Sequence, residues 1–357
     1  MKQAVRHRRE PGTAPGTFDI ERVRAVQHAH VEIVDYSPEG MTARSNDIEL
    51  LDEKPPEHGV RWIHVAGTPS MAVLERLQKI YSLDALVLED IVSQIQRPKF
   101  NEYDDRLFIT LSIPMNDVPG YFEQLYVFGD EHTVITFHEG TSGLLDPIRK
   151  RLSVENSRMR QRDGCYLMYA LIDLAIDYLF PVIDSVGSEI SDLEAEILEY
   201  PAPRSLGQLH AIRNRLLLYR RTAWATREIL ADLFRHLDAS ESDRSYLRPY
   251  LQDCYDHIVS VIDLLEAHRE VVTSLVEVYL SLVSNRLNEV MRVLTVIATL
   301  FIPPTFIVGI YGMNFDRSAG PLSMPELGWP YGYVAVMIGI GLMMISMIVW
   351  FRRKRWI

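Results

Sequence analysis

The chain has 357 residues and a formal net charge of −11; 24% of its residues are charged and 47% are hydrophobic. This length allows two or three domains, and the acidic balance argues against a nucleic-acid-binding protein. The sequence has neither a Walker A motif nor a glycine-rich dinucleotide fingerprint, so we expect no nucleotide partner. Cys165 and Cys254 are the only cysteines. Two cysteines are too few for a disulfide framework, and we expect both to be buried thiols.

The N-terminal part of the chain has α+β character. Residues 1–17 are charged and then rich in Pro and Gly, without the apolar core of a signal peptide, so we predict a disordered arm. Residues 18–160 then show short β-branched and aromatic runs around helical periodicity, which is typical of an α+β domain. The predicted elements are strands at 60–67 and 108–114, a helix at 70–81, and a hairpin at 121–139 that turns near Gly129.

A long acidic stretch follows this domain. From Asp163 to Tyr200 the sequence has nine acidic residues and neither Lys nor Arg, which is unfavourable unless positive charge comes from elsewhere. The candidates are bound divalent cations and the Arg-rich segment that begins at Arg204. Because Pro201-Ala-Pro203 interrupts the helical pattern, we predict an antiparallel acidic/basic helical hairpin over 161–248.

The next segment predicts one very long helix. Between Pro249 and Pro303 there is neither Gly nor Pro, and the apolar residues keep a helical period. About 50 residues at 1.5 Å each make a rod about 80 Å long. We assign 249–292 to a stalk helix that continues into the membrane. Such a rod cannot bury its apolar faces alone, so we expect an oligomer.

Two apolar runs near the C-terminus have the length of membrane spans. Neither 293–314 nor 328–351 contains Asp, Glu, Lys, Arg or His, and about 20 apolar residues suffice to cross a bilayer. Two core helices of a soluble domain are the alternative, but Trp and Tyr flank these runs as they do at membrane interfaces. We therefore predict transmembrane helices at 293–314 and 331–351, joined by an outer loop at 315–330.

The cations around these runs predict their orientation. The tail at 352–357 carries four cations, and Arg286 and Arg292 precede the first run, whereas the loop at 315–330 carries one. Because positively charged flanks stay on the cytoplasmic side, we expect both termini in the cytoplasm. The protein is then a multi-pass protein of the cell's inner (plasma) membrane.

One face of the first predicted span is weakly polar and uncharged. Its residues recur at spacings of three and four, so they share one side of a helix. They are Asn288, Met291, Thr295, Ala298, Ile302, Thr305, Gly309 and Gly312. Two interpretations stay open: a tight helix–helix packing seam, for which small residues are favoured, and the lining of an ion pore. Asparagines at both ends, Asn288 and Asn314, favour the pore.

The end of this run carries a resemblance to a known family. Tyr311-Gly312-Met313-Asn314 is followed by Met324-Pro325-Glu326-Leu327, a second span and a basic tail. This arrangement resembles the CorA family of magnesium transporters, and the likeness extends to Leu88-Glu-Asp-Ile91, Gln96-Arg-Pro98 and Tyr279 through Leu300. The resemblance implies a funnel-shaped homopentamer in the lipid bilayer, with a cytoplasmic αβα domain, a very long stalk helix and two C-terminal transmembrane helices. Mg²⁺ is the implied cargo, and Co²⁺ and Ni²⁺ could pass through the same pore.

The resemblance also implies roles for pore residues. Gly312, Met313 and Asn314 would form the selectivity filter, with five Asn314 amides in a ring at the outer mouth. Mg²⁺ gives up its waters reluctantly, and neutral carbonyl oxygens can accept hydrogen bonds from those waters without removing them. A charge of +2 that moves inward gains about 4.6 kcal/mol per 100 mV, so we expect passive influx. The candidate hydrophobic constrictions are Met291, Leu294 and Ile302.

Gating is the second property that the resemblance implies. In CorA proteins, Mg²⁺ bound between cytoplasmic subunits holds the channel closed. Asp90 and Asp253 would meet across a subunit interface, and Glu89 with Asp177 would form a second regulatory site. Without the ion these carboxylates repel one another, and with it they are bridged, so the channel would sense internal Mg²⁺.

Three alternatives stay beside this interpretation. A zinc-transporting member of the same family would use the same scaffold, although His257 and His268 suggest no compact soft-ligand cluster. The second is a membrane-anchored coiled-coil scaffold, in which Asn314 has no role in transport. The third, an enzyme, lacks a recognisable catalytic motif, so we expect no catalysis. The nine residues at 315–323 make the connecting loop longer than in most relatives, which bears on ion capture and selectivity.

Overall fold

The computed structural model describes residues 29–45, 48–52, 56, 58–93, 97–138, 140, 143–239, 244–314, 320 and 324–356. The predicted arm at 1–17, Gln96 of the family motif and all of the loop at 315–323 except Gly320 lie outside these residues. The chain divides into two compact units. They are Met1–Glu196 with Pro203–Leu275, and Ile197–Ala202 with Val276–Ile357.

The first unit is built on a seven-stranded mixed sheet. Its strands are β1 (His30–Tyr36), β2 (Met41–Ser45), β3 (Val60–Ala66), β4 (Lys99–Tyr103), β5 (Arg106–Pro114), β6 (Phe122–Gly129) and β7 (Thr133–His138). They lie in the order β2-β1-β3-β7-β6-β5-β4. β3 and β7 are parallel, and the other neighbours are antiparallel. The strands and the hairpin predicted from the sequence are confirmed.

The turn between β6 and β7 shows why this sequence forms a hairpin. The Asp130 carboxylate accepts hydrogen bonds from the backbone N–H groups of His132 and Thr133, both at 2.9 Å. A Cβ atom at Gly129 would lie 2.2 Å from the carbonyl oxygen of Thr133. Glycine is therefore required here by the close approach of the returning strand.

Helices cover both faces of the sheet. On one side lie α1 (Met71–Tyr81) and α2 (Ala85–Ser93), and α1 begins after Ser70, whose hydroxyl accepts the Val73 N–H at 3.4 Å. Phe108 of β5 is in the same buried cluster as residues of these helices. Its neighbour Ile109 lines a small apolar cavity with Met168. Met168 belongs to α4 (Gly164–Asp177), which follows α3 (Asp146–Ser153). Since successive strand residues face opposite sides, α4 covers the second face and the arrangement is αβα.

The acidic stretch forms a hairpin with the basic segment that follows it. Its helices are α5 (Leu179–Glu199) and α6 (Pro203–Ala239). Arg204 Nε lies 3.0 Å from a carboxylate oxygen of Glu196, and Arg215 pairs with Glu189. The Arg204–Glu196 pair lies near the turn and the Arg215–Glu189 pair lies farther from it on both helices, as expected of an antiparallel hairpin. The prediction that basic side chains offset the acidic helix is confirmed for these two acids.

The last two helices are long and apolar. α7 (Arg248–Tyr311) is one helix of 64 residues that contributes to both units, and α8 (Gly332–Arg353) has 22 residues. Short 3-10 turns lie at Ile48–Asp52, Ser245–Leu247 and Pro325–Gly328. α7 continues through Pro303 and Pro304. The helix ends at Tyr311, so Gly312, which the sequence analysis placed on the helical face, lies in the turn that follows.

Candidate ion pathway and cation-binding site

Among the described residues, three helical stretches are long and apolar enough to cross a bilayer. The most apolar window of Gly164–Glu199 is 72% buried inside the protein, whereas those of Ser245–Tyr311 and Gly332–Arg353 are only 11% and 6% buried. The first stretch therefore belongs to the core of the first unit. The other two expose apolar surface that water tolerates poorly, which is the pattern expected of helices covered by lipid or by further subunits.

The weakly polar face of α7 is uncovered in the single chain. Apart from Ala298, which is half-buried, its members are exposed. They are Asn288, Met291, Thr295, Ile302, Thr305 and Gly309, and the candidate constriction residue Leu294 is exposed as well. This exposure is compatible both with a pore lining and with a seam between subunits.

Threonines give this part of α7 a distinct chemistry. The Thr295 hydroxyl donates to the carbonyl oxygen of Met291 at 2.7 Å, that of Thr299 to Thr295 at 2.7 Å, and that of Thr305 to Phe301 at 2.8 Å. A hydroxyl has one proton, so each oxygen is left as an acceptor. Thr299, which the sequence analysis did not single out, extends the set. Such oxygens suit the waters around a cation.

The predicted filter residues Gly312, Met313 and Asn314 follow the C-terminal, negative end of α7. The Gly312 N–H donates to Val308 at 2.9 Å, and the Met313 N–H donates to Ile310 at 3.1 Å, so the last turn tightens before the chain leaves the helix. A Cβ atom at Gly312 would lie only 3.3 Å from the Val308 carbonyl oxygen. Asn314 is exposed just beyond this turn. The C-terminus of a helix carries about −0.5 charge, which favours a cation beside Asn314.

A second group of residues could hold a cation in the first unit. Asp173 and Asp177 lie on α4 and His257 lies on α7, with one ligand atom of each within 4.8 Å of the others. Asp253, one helical turn before His257, has its Oδ1 3.9 Å from His257 Nε2. Burial, and then the negative charge of Asp173, raise the pKa of Asp177. A divalent cation would relieve this repulsion.

The donor set fits a divalent cation. Carboxylate oxygens suit Mg²⁺, while an imidazole suits Zn²⁺, Co²⁺ and Ni²⁺. Arg151 lies 3.5 Å from Asp173 and offsets part of the charge. The Cys254 sulfur lies 3.8 Å from Asp173 Oδ1, but burial raises the pKa of its thiol, which disfavours the thiolate form that binds metals. Both Cys165 and Cys254 are free and buried, as the sequence predicts.

The other two predicted sensor residues lie on α2. Asp90 is buried and accepts a hydrogen bond from Lys99. Burial raises the pKa of Asp90, and the Lys99 ammonium counteracts part of this rise. Glu89 beside it is half-buried. Within one subunit, the structure thus groups Asp177 with Asp253 around His257 and pairs Asp90 with Lys99. Contact between Asp90 and Asp253 of different subunits stays a prediction.

Sequence reasoning missed Asp173 and His257. A signal was present, because Asp173 with Asp177 and Asp253 with His257 are both spaced by four residues, which places each pair on one helical face. The spacing does not predict that the face on α4 and the face on α7 contact each other.

Comparison with known proteins identifies the family. Residues 57–353 match the family described as CorA-like Mg2+ transporter protein. The chain belongs to the CorA family. The cobalt/magnesium transport protein CorA of Thermotoga maritima is 34% identical over 350 residues, covering 97% of each chain. The complete structure of the CorA magnesium transporter from Methanocaldococcus jannaschii superposes with a TM-score of 0.76 at 21% identity, covering 93% of this chain and 100% of that chain. This second likeness shows that the two chains share the CorA fold.

A zinc transporter is also among the relatives. The zinc transport protein ZntB of Pectobacterium carotovorum is 22% identical over 301 residues, covering 83% of this chain and 88% of that relative. The proteins similar to this chain therefore include ones named for different divalent metals.

Proposed function

We propose that this CorA-family chain forms a channel for divalent cations, with Mg²⁺ as its main cargo and Co²⁺ or Ni²⁺ as further cargo. The observation that carries the proposal is the α7 face, whose threonine oxygens are acceptors and which ends at Gly312-Met313-Asn314. The Thermotoga maritima relative, named a cobalt/magnesium transport protein, supports it over 97% of the chain.

The channel is a homopentamer in the plasma membrane. Five copies of α7 line the pore, and α8 crosses the membrane beside them. The exposed apolar windows of both helices support this placement. The cations at 352–355 occupy the last turn of α8 and the two residues after it, so both termini lie in the cytoplasm by the positive-inside rule.

Ions enter hydrated and are selected by Asn314. Five amide oxygens accept hydrogen bonds from the ion's waters, and the five negative helix ends add attraction without a fixed charge. A neutral ring attracts a divalent cation weakly enough to let it leave. The membrane potential then drives the ion inward.

Cytoplasmic Mg²⁺ closes the channel. Asp90 of one subunit and Asp253 of the next bind the ion between them, with Glu89 and Asp177 as a second site. The group of Asp173, Asp177 and His257 supports this role, since it already places carboxylates close enough to repel. Loss of the ion restores the repulsion, loosens the subunits and lets α7 shift.

A zinc channel is the second candidate function. The His257 imidazole beside two carboxylates favours it, as does the relative named ZntB. The same uptake assay with Zn²⁺ in place of Mg²⁺ separates the two. Faster Zn²⁺ than Mg²⁺ uptake would reassign the cargo.

Uptake into proteoliposomes with an imposed potential tests the pore. The variant is Asn314→Ala, and its control is Asn214→Ala, which removes the same amide from an exposed position of α6, outside both proposed membrane helices. Each amide acceptor is worth about 1 kcal/mol, so loss in several subunits should lower Mg²⁺ uptake by about tenfold or more. Uptake that ignores the potential would count against the channel mechanism, and equal uptake by both variants would count against the role of Asn314. The absence of any ion flux would favour the scaffold alternative.

The same liposomes test gating. Mg²⁺ on the cytoplasmic side should reduce the current of the native protein and of Asp263→Asn, a control at an exposed acid of α7. Asp253→Asn should stay open at Mg²⁺ concentrations that close the native channel. Identical inhibition of both variants would remove Asp253 from the sensor.

A further inference from the structure

The C-terminus of α8 ends in an ordered cap. The Lys354 N–H donates to Trp350, the Arg355 N–H to Arg352, and the Trp356 N–H to Phe351, all at 3.0 Å. Arg355 adopts the left-handed conformation with φ of 57°. A bond from the second residue past the C-cap Lys354 back into the last turn of the helix, with a left-handed residue before it, is a Schellman motif. Glycine usually occupies the left-handed position, yet here it is an arginine.

Aromatic rings hold this reversal in place. Trp356 stacks on Phe351 with ring centroids 5.8 Å apart, and Trp350 packs edge-on against Phe351 at 5.1 Å. This is the apolar contact that accompanies a Schellman motif. Phe351 is 2% exposed at the centre, while Trp350 is 53% and Trp356 40% exposed. We call these three rings the aromatic cap.

The reversal gathers cations around the aromatic cap. The basic run consists of Arg352, Arg353, Lys354 and Arg355, and all four are exposed. Because the chain turns back at Arg355, these side chains lie within one turn of the helix end. The negative helix pole accommodates some of this charge, but the exposed side chains keep donors for an external anion.

The neighbouring sequence indicates what kind of anion this is. The helix that carries the cap has no charged residue from Gly332 to Phe351, and its most apolar window is 6% buried, so the cap lies where a spanning helix leaves the bilayer. Tryptophan prefers this depth, since its ring is apolar and its N–H is polar. Arginine binds phosphate oxygens through two parallel hydrogen bonds. Rings at the acyl boundary and cations at the phosphate level match an anionic phospholipid.

We propose that the aromatic cap and the basic run bind the phosphodiester headgroup of an anionic phospholipid, such as phosphatidylglycerol, in the cytoplasmic leaflet. The inference rests on the proposed function in one respect, since it requires α8 to span the membrane. If the basic run served only to orient α8 in the membrane, its four charges would be sufficient. A lipid-binding site also needs Trp356 and the chain reversal at Arg355, and this difference is testable.

Quenching of tryptophan fluorescence by brominated lipids tests the site. The full-length protein with Trp329→Phe is reconstituted into phosphatidylcholine nanodiscs that contain phosphatidylglycerol. Either the phosphatidylglycerol or an equal mole fraction of the phosphatidylcholine is brominated. Since each cation near the surface strengthens binding of anionic lipid, brominated phosphatidylglycerol should quench at least about twice as strongly. Equal quenching by the two lipids would overturn the proposal.

Three variants locate the site. Arg353→Gln with Arg355→Gln should remove the preference for phosphatidylglycerol, whereas Arg213→Gln with Arg221→Gln, two exposed arginines of α6, should keep it. Trp356→Ala retains all four cations but should lose the preference, read from Trp350. If the preference for phosphatidylglycerol survived in Trp356→Ala or in the Arg353/Arg355 variant, the proposed lipid site would be refuted. The basic run would then serve only to orient α8 in the membrane.

Two further measurements show whether the anion is a lipid or a soluble phosphate, and whether the reconstituted protein transports Mg²⁺. Inorganic phosphate should leave the quenching unchanged, and displacement by it would assign the site to a soluble anion instead. Mg²⁺ uptake by the same preparations reports the channel. Intact uptake without lipid preference would sink this inference alone, whereas lipid preference without any uptake in the native protein would count against the proposed function.

Discussion

Replacing Asp177 with Asn should stabilise the metal-free protein and destabilise the metal-bound one. Ligand atoms of Asp173 and Asp177 lie within 4.8 Å of each other. Two unit charges at that distance repel by about 0.9 kcal/mol in water and about 3.5 kcal/mol at an effective dielectric constant of 20. Because Asp177 is exposed, the lower value applies more closely. We expect Asp177→Asn to gain about 1 kcal/mol in the absence of metal.

A bound divalent cation reverses the sign. It turns the repulsion into shared attraction, and a cation at 100 times its Kd stabilises the native protein by about 2.7 kcal/mol. Each tenfold loss of affinity removes about 1.4 kcal/mol. An asparagine oxygen is a weaker, neutral ligand. A hundredfold loss of metal affinity would remove most of the stabilisation by the cation and leave Asp177→Asn less stable than the native protein in the presence of metal.

Thermal unfolding of the purified full-length protein measures both effects. In EDTA the variant should melt about 2–4 °C higher, the shift expected for about 1 kcal/mol in a unit of this size. In Mg²⁺ or Co²⁺ it should melt lower. Asp192→Asn, at an exposed acid of α5, should follow the native protein in both media. A lower melting temperature for Asp177→Asn already in EDTA, or equal metal-induced shifts, would refute the cation site.

Other predictions concern the first unit. Burial, and then the charge of Arg149, lower the pKa of His64 to about 3. The unfolded state therefore binds a proton first, and stability should fall by about 2 kcal/mol between about pH 7.5 and pH 5. Urea unfolding should show a smaller fall in His64→Gln, and an equal fall would contradict this cause. Gly129→Ala should cost at least about 2 kcal/mol, because its Cβ meets a backbone carbonyl. Gly40→Ala, with nothing within 4 Å of the added atom, should behave like the native protein in the same experiment.

Local chemistry explains which parts of the fold could be predicted. The β6–β7 hairpin needed only Gly129 and Asp130, whose roles are set by residues within four positions. The α5–α6 hairpin followed from the proline turn and from the change of charge sign. The position of β1 beside β3, and of β3 beside β7, depends on pairing between distant residues. No local pattern encodes that order, because the burial of both faces makes the strands alike in composition.

The candidate sites divide along the same line. The weakly polar face of α7 is a matter of spacing within one helix, and the sequence predicted it apart from Thr299 and the helix end at Tyr311. The group around His257 requires α4 to pack on α7. A spacing of four residues identifies one face on each helix, but it does not predict that these two faces contact each other. A contact between Asp90 and Asp253 needs a second subunit, which neither the sequence nor one folded chain supplies.

The proposed filter and the proposed sensor rest on the same electrostatic principle. In the proposed pore, Asn314 and the negative pole of α7 would attract a cation without a carboxylate, so the ion would not be held. In the proposed sensor, the carboxylates of Asp173 and Asp177 lie close together, so an ion between them would be held. A transport site must release its ion, and a sensor must keep it for as long as the internal concentration is high. Neutral oxygens for passage and paired carboxylates for sensing are therefore the division of ligands that a self-limiting Mg²⁺ channel requires.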